Sequence, residues 1–253
     1  MKSLRALKTK KGRDETGRFI VEGEKAVSEI PAEWEVAFYV CSEKFAKAMR
    51  GEVTAYAKRA PCETIRDALF ESVSDTKTPQ GIIAVCAKRR FKPEELLRPD
   101  GFVLICENLS DPGNAGTLIR SAAAAGASGI VFCEGSVEYY SPKVIRAAAG
   151  SALRIPFLEN AGVADSIAFF KRNGYGIYAA DAKGEKYPYD LNLTERFCAV
   201  VGNESRGISR EAASAADKTV RLPMAAGVES LNVSVAGSVL LYEAVRQRLS
   251  RFV

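Results

Sequence analysis

The sequence predicts an α/β protein of two domains, the larger built on a parallel sheet. Three observations carry this. From Phe102 onward, short apolar runs such as "FVLIC" and "GIVFC" alternate with helical stretches, and uniformly apolar strands are those covered by helices on both faces. The charged segment "KRRFKPEELLRPDG", with Pro93 and Pro99, interrupts the chain between Lys88 and Gly101 and reads as a linker. The 253 residues, 47% hydrophobic, suffice for one or two cores.

Up to about residue 88, "GEKAVSEI" and "SEKFAKAMR" read as helices, and "VAFYVC" and "GIIAVCA" as strands. After the linker comes the strand "FVLIC", then "DPGNAGTLIRSAAAAGA" as a loop feeding a helix that Asn114 can cap, then the strand "GIVFC". "SPKVIRAAAG" is a short helix with Ser141 as N-cap, Pro142 in the first turn and Gly150 past the end. "ALRIPFL" is extended, "VADSIAFFKRNG" helical, and "YGIYAAD" and "RFCAVVGN" are strands. "SREAASAAD" is a helix and "KTVRLPM" a strand that Leu222, Pro223 and Met224 end. Ser230 to Arg248 is the final helix, with Ser230 as its N-cap. Ligands of such sheets bind at the carboxyl ends of the strands.

Composition excludes several classes of chemistry. The sequence has no His, which removes His-based acid–base work, His metal ligands and a Ser-His-Asp triad. Its six Cys form no C-x-x-C pair and lie mostly in apolar runs, as expected of buried, reduced thiols in a cytoplasmic protein. No apolar run is long enough to span a bilayer, and the basic, polar N-terminus has no secretory h-region. No metal site is expected. The net charge of +5 is small, but basic residues gather in two places, Lys2 to Arg13 and Lys88 to Lys92. Such clusters serve either as solvated termini and linkers or as phosphate contacts with a nucleic acid.

Three loops at strand ends carry polar residues where buried elements need none: "ENLSDPGNAGTLIR" with Asn114 and Arg120, "VVGNESRGIS" with Gly202 and Glu204, and "RLPMAAGVESLNVS" with Ser230, Asn232 and Ser234. The second has the G-x-x-x-x-G spacing of a phosphate-binding loop. Ile208 stands where the lysine should be, however, and Glu204 would place a negative charge in the cradle. That loop suits a ligand that lacks phosphate or carries positive charge. Asn232 and Ser234 disfavour a helix interior and interrupt the apolar face that Val233, Val235 and Val239 begin.

Taken together, the loops resemble the three signature motifs of the SpoU/TrmH family, in the SPOUT class of RNA methyltransferases. "DPGNAGTLIRSA" looks like the first, "VVGNESRGIS" like the second, and "LPMAAGVESLNVSVAGSVLLYEA" like the third. "GRFIVEGEKAVSEI" resembles the start of the family's substrate-binding domain, similar to a ribosomal L30e-type fold. The second motif departs from the pattern at Asn203 and Ser205, where Ala or Gly is frequent.

The resemblance implies an L30e-like RNA-binding domain over residues 1–90, a linker over 91–100 and a SpoU-type methyltransferase domain over 101–253. It implies a parallel sheet threaded into a deep trefoil knot, which pattern reasoning would not propose because true knots are nearly absent. It implies S-adenosylmethionine as donor, contacted by Gly202, Leu222 and Leu231, with Met224 lining the adenine pocket and Ser230 beside it. Asn114, Arg120, Glu204 and Asn232 fall on the family's polar catalytic positions. Arg120 is the base or orients an RNA phosphate, and Glu204 holds Arg120 or a helix N-terminus. The implied reaction is 2′-O-ribose methylation of ribosomal RNA by a homodimer, although transfer RNA enzymes share the motifs. A non-catalytic RNA-binding protein that kept the fold would show damaged motifs, and these residues are all present.

Overall fold

The structure is a computed structural model that describes residues 2–249. It forms two compact units. One holds the chain up to Arg89 together with Tyr140–Arg154, and the other holds Arg90–Tyr139 and the residues from Ile155 onward.

In the first unit four strands, β1 (Arg18–Glu22), β2 (Val36–Ser42), β3 (Cys62–Ile65) and β4 (Ile82–Ala87), form a sheet in the order β1-β4-β2-β3. β4 pairs antiparallel with β1 and β2, and β3 adds parallel to β2. Ile20, Val40, Ile83 and Val85 of the sheet pack with Leu4, Leu7, Phe70 and Val73. The expected strands Val36–Cys41 and Gly81–Ala87 are β2 and β4. β1, β3 and the helices Lys10–Thr16 and Asp67–Val73 go beyond the sequence reading. β3 is short and half-buried, so "CETI" shows no two-residue alternation.

The short helix Pro142–Ala147 belongs to this unit. Ser141 caps it and Pro142 occupies its first turn, as the sequence predicts. Tyr140 packs on Phe19, with ring centroids 4.4 Å apart, and the indole N–H of Trp34 donates to the Leu153 carbonyl at 2.9 Å.

Several charges of the basic N-terminus are paired within this unit. Lys8 pairs with Asp75 at 2.9 Å and Lys10 with Asp14 at 2.6 Å, and Lys88 reaches the same Asp14 at 2.7 Å. Arg13 is buried and donates to the Leu7 carbonyl.

The second unit is built on six parallel strands: β5 (Phe102–Cys106), β6 (Gly129–Cys133), β7 (Phe157–Ala161), β8 (Gly176–Ala180), β9 (Phe197–Val201) and β10 (Lys218–Val220). Their order is β10-β8-β9-β5-β6-β7. The chain steps outward from β5 through β6 to β7, then crosses to β8. It places β9 between β8 and β5, so the carboxyl ends of β5 and β9 lie side by side where the strand order reverses. Such a switch point is where parallel sheets bind ligands. β5, β6 and β9 are buried at every position, as two-sided cover requires.

The segment 91–100, expected as a linker, packs on this unit. Leu96 is fully buried in a core with Val103, Ile105 and Val131, and Phe91 and Leu97 lie against it. The C-terminal strand is shorter than expected and ends at Val220, leaving Leu222, Pro223 and Met224 in the loop beyond it. The final helix runs Val233–Leu249, not from Ser230. It lies against the helix Pro112–Ala124, close enough that a Cβ on Gly237 would meet Leu118 at 2.6 Å. Residues 250–253 of the expected methyltransferase domain fall outside the described residues. No helix of the described residues is long and apolar enough to cross a membrane. The six cysteines are free, and all but Cys62 are buried.

Candidate active site

Three loops converge at the carboxyl ends of β5, β9 and β10. The first follows β5 and opens the helix Pro112–Ala124. Its cap is Asp111, not Asn114: Asp111 Oδ1 accepts from the Asn114 backbone N–H at 2.7 Å, and Pro112 fills the first position. The Asn114 side chain is thereby free to face the other loops.

The second loop, after β9, closes on itself. Asn203 and Gly207 exchange backbone hydrogen bonds at 2.9 Å in both directions. Asn203 Oδ1 accepts from the N–H groups of Ser205 and Arg206 at 3.0 and 3.1 Å, while its Nδ2 donates to the Asn108 carbonyl at 2.9 Å. The departure from small residues at Asn203 therefore builds the turn. A Cβ on Gly202 would sit 2.1 Å from the Gly207 carbonyl carbon, so only glycine fits there.

Glu204 projects from this loop onto the start of the first-loop helix. Its Oε2 accepts from Ser110 Oγ at 2.9 Å and from Ser110 N and Asn203 Nδ2 at 3.3 Å, and its Oε1 accepts from Asp111 N at 2.9 Å and Asn114 Nδ2 at 3.2 Å. Partial burial raises its pKa, but hydrogen bonds from Asp111 N, its own backbone N–H, Asn114 and Ser110 outweigh that and hold it at about 2. Glu204 is thus a permanent carboxylate at a helix N-terminus, where negative charge is favoured. Of the two expected partners, Arg120 and a helix N-terminus, it contacts the helix N-terminus.

The third loop ends at Asn232, which caps the final helix. Asn232 Oδ1 accepts from the N–H groups of Ser234 and Val235 at 2.8 and 3.3 Å. Ser230, the expected cap, lies two residues earlier on the exposed loop. Asn232 Nδ2 donates to Asn114 Oδ1 at 3.0 Å. Glu204, Asn114 and Asn232 thus form one polar chain across all three loops. Arg120 is not part of it. It is exposed two turns along its helix, and its side chain has neither a hydrogen bond nor an ion pair among the described residues.

Behind this chain the loops enclose a cavity of about 320 Å³. Gly202, Leu222, Met224, Ser230 and Leu231 all line it, as does Glu204, whereas Asn114, Arg120 and Asn232 do not. Its charged wall residues are Asp181, Glu204 and Glu229 against Arg206, an excess of negative charge, with Ile208, Val220 and Leu240 as apolar wall. Asp181 and Ala182 escaped the sequence reading, although their position at the carboxyl end of a strand was the available signal. So did Glu107, a buried carboxylate that accepts from Ser209 N at 2.8 Å and fixes the far end of the second loop.

The model of the SpoU rRNA Methylase family matches residues 101–242, and that of the MRM3-like substrate binding domain matches residues 1–84. The chain is 31% identical over 245 residues to 23S rRNA (guanosine(2553)-2'-O)-methyltransferase RlmP of Bacillus subtilis, covering 96% of this chain and 94% of that protein. The SpoU methyltransferase AviRb of Streptomyces viridochromogenes, solved in complex with the cofactor AdoMet, superposes with a TM-score of 0.88 at 26% identity, covering 98% of this chain and 97% of that one. An AdoMet-bound rRNA methyltransferase from Sinorhizobium meliloti superposes with a TM-score of 0.85 at 27% identity, covering 97% and 93%.

Proposed function

The chain belongs to the SpoU rRNA methylase family, and from that premise we propose that it transfers a methyl group from S-adenosylmethionine to a ribose 2′-hydroxyl of ribosomal RNA. The observation that carries the proposal is the cavity at the switch point. Its net negative wall suits a sulfonium cation, its apolar wall suits an adenine, and no lysine lines it to meet a phosphate. Gly202, Leu222, Met224, Ser230 and Leu231 would hold the donor, which supplies an electrophilic methyl group.

The chain's own residues do the rest. Glu204 stays ionised and saturated with donors, so it acts as a fixture for the first-loop helix and not as a base. The Asn114–Asn232 hydrogen bond sets the spacing between the two helix starts. Arg120, exposed and uncommitted, orients the RNA and stabilises charge developing on the ribose oxygen. A guanidinium is always protonated, which suits this role better than that of a base.

The enzyme works as a homodimer in the cytoplasm. In support, Val235, Val239 and Tyr242 leave an apolar stripe exposed along one face of the final helix, with Val228 and Leu231 just before it. The first unit selects the RNA, and the knot expected of the family fits the insertion of β9 between β8 and β5. The test is methyl transfer from labelled S-adenosylmethionine to ribosomal RNA from cells lacking the gene. The label should appear in an alkali-resistant dinucleotide, and label on a base or no transfer would refute the reading.

A further inference from the structure

The loop between β8 and β9 carries an aromatic stack that the donor cavity does not use. Tyr187 and Tyr189 stack with ring centroids 5.1 Å apart and planes at 14°. The Arg221 guanidinium lies 4.8 Å from the Tyr187 ring centre and donates to its hydroxyl at 3.2 Å. Tyr189 is 58% exposed. A single exposed tyrosine needs no explanation; a pre-stacked pair against a guanidinium does.

The stack is also rigid. Lys186 N donates to the Thr219 carbonyl at 3.1 Å and Arg221 N to the Lys186 carbonyl at 2.9 Å, pinning the segment to β10. Pro188 starts a single 3₁₀ turn, and Asp190 Oδ2 accepts from Tyr187 N at 3.1 Å to close it. The stack adjoins the site in the chain on both sides: Val220 and Leu222, flanking Arg221, line the donor cavity, and so do Asp181 and Ala182 at the start of the same loop.

We propose that Tyr189, backed by Tyr187 and Arg221, is a stacking platform for an unpaired base of the substrate RNA. The inference rests on the reading of RNA as substrate. Stacking on aromatic and guanidinium planes is how proteins hold splayed-out RNA bases, and a preformed, immobile stack loses little entropy on binding. Lys183, Lys186 and Lys218 are exposed on these segments, but Asp181, Glu185, Asp190 and Asp217 balance them with Arg221, so no net charge gathers there. Recognition at this point comes from stacking and not from a field.

The experiment measures binding of a fluorescein-labelled twelve-nucleotide oligouridine, and of a blunt duplex of the same length, by wild-type protein, Tyr189→Ala and Tyr189→Phe. Tyr189→Ala should weaken the single strand roughly tenfold and leave the duplex unchanged, whereas Tyr189→Phe should bind within about twofold of wild type. The ratio between wild type and Tyr189→Ala should be the same at low and high salt, because no phosphate contact is lost. Equal affinity of wild type and Tyr189→Ala, or equal loss by Tyr189→Phe, would overturn the platform. A change of sedimentation coefficient on Tyr189→Ala would overturn it too, by making the stack a contact between copies. If wild-type protein transferred no methyl group to any RNA, the functional reading would fall first and the platform with it.

Discussion

Asn232 donates through Nδ2 to Asn114 Oδ1 at 3.0 Å while its own Oδ1 caps the final helix. One side chain thus does two jobs that substitution can separate. Asn232→Ala loses both, and should cost about 1 kcal/mol, or roughly 2–4 °C in Tm. Asn232→Asp keeps the acceptor that the cap needs and should hold stability within about 0.5 kcal/mol of wild type. It removes the donor toward Asn114, which cannot flip its amide without turning a carbonyl toward Glu204. Thermal melting beside methyl transfer checks this: Asn232→Asp should melt like wild type and transfer poorly. Equal activity would dissociate the bridge from function.

Glu204 ties folding to pH. Its folded value of about 2 lies below the ordinary 4.5, so the folded state binds fewer protons. Its stabilising contribution is complete above pH 4.5 and is lost as pH falls toward 2. Glu204→Gln should be less stable than wild type at neutral pH, and the gap should close on acidification. Asp14, held at about 2 by Lys10 and Lys88, is common to both proteins and cancels. Urea unfolding at several pH values measures the gap, and a gap that does not narrow would show that the carboxylate charge is not what Glu204 contributes.

Gly202→Ala tests the donor cavity. The added methyl would meet the Gly207 backbone at 2.1 Å, so the second loop must open. The core of β9 lies behind the turn, and the variant should fold. Calorimetry should show S-adenosylmethionine affinity reduced by tenfold or more (~1.4 kcal/mol). EDTA should change neither protein's affinity, since no three potential ligand side chains gather among the described residues. Full affinity of the variant would move the donor elsewhere.

What was legible in the sequence, and what was not, follows from range. The buried strands of the larger unit announce themselves because "FVLIC" and "GIVFC" are apolar at every position, and Ser141, Pro142 and Gly150 mark a helix by local chemistry alone. The capping residues of the site cannot be chosen from local sequence. Asp111 and Asn114, and likewise Ser230 and Asn232, are all good caps locally, and the choice is settled by Glu204 and Asn114, some 90 and 118 residues distant in the chain. The helix Pro142–Ala147 was readable, but its membership of the first unit was not, because Ile145 is apolar whichever core receives it. The five residues expected on the donor side are legible only through the family motifs, and all five line one cavity.

Arg120 remains the sharpest discriminator. It is exposed, and its side chain has no hydrogen bond or ion pair among the described residues, so truncation should change stability by no more than about 0.5 kcal/mol. An unpartnered cation that does nothing would leave turnover unchanged as well. A guanidinium placed at the reacting ribose should instead cost Arg120→Ala roughly 100-fold in turnover, about 2.7 kcal/mol of transition-state stabilisation. Donor affinity should stay near normal, because Arg120 does not line the cavity. Arg120→Lys should fail too, since an ammonium does not present a planar fork of donors. Single-turnover methylation with saturating donor, and with enzyme in saturating excess over the RNA, isolates the chemical step from RNA capture. A variant that melts normally, binds S-adenosylmethionine normally and transfers methyl groups slowly has lost what Arg120 does at the reacting ribose, orientation or charge stabilisation, while one that transfers at the wild-type rate would remove Arg120 from the mechanism.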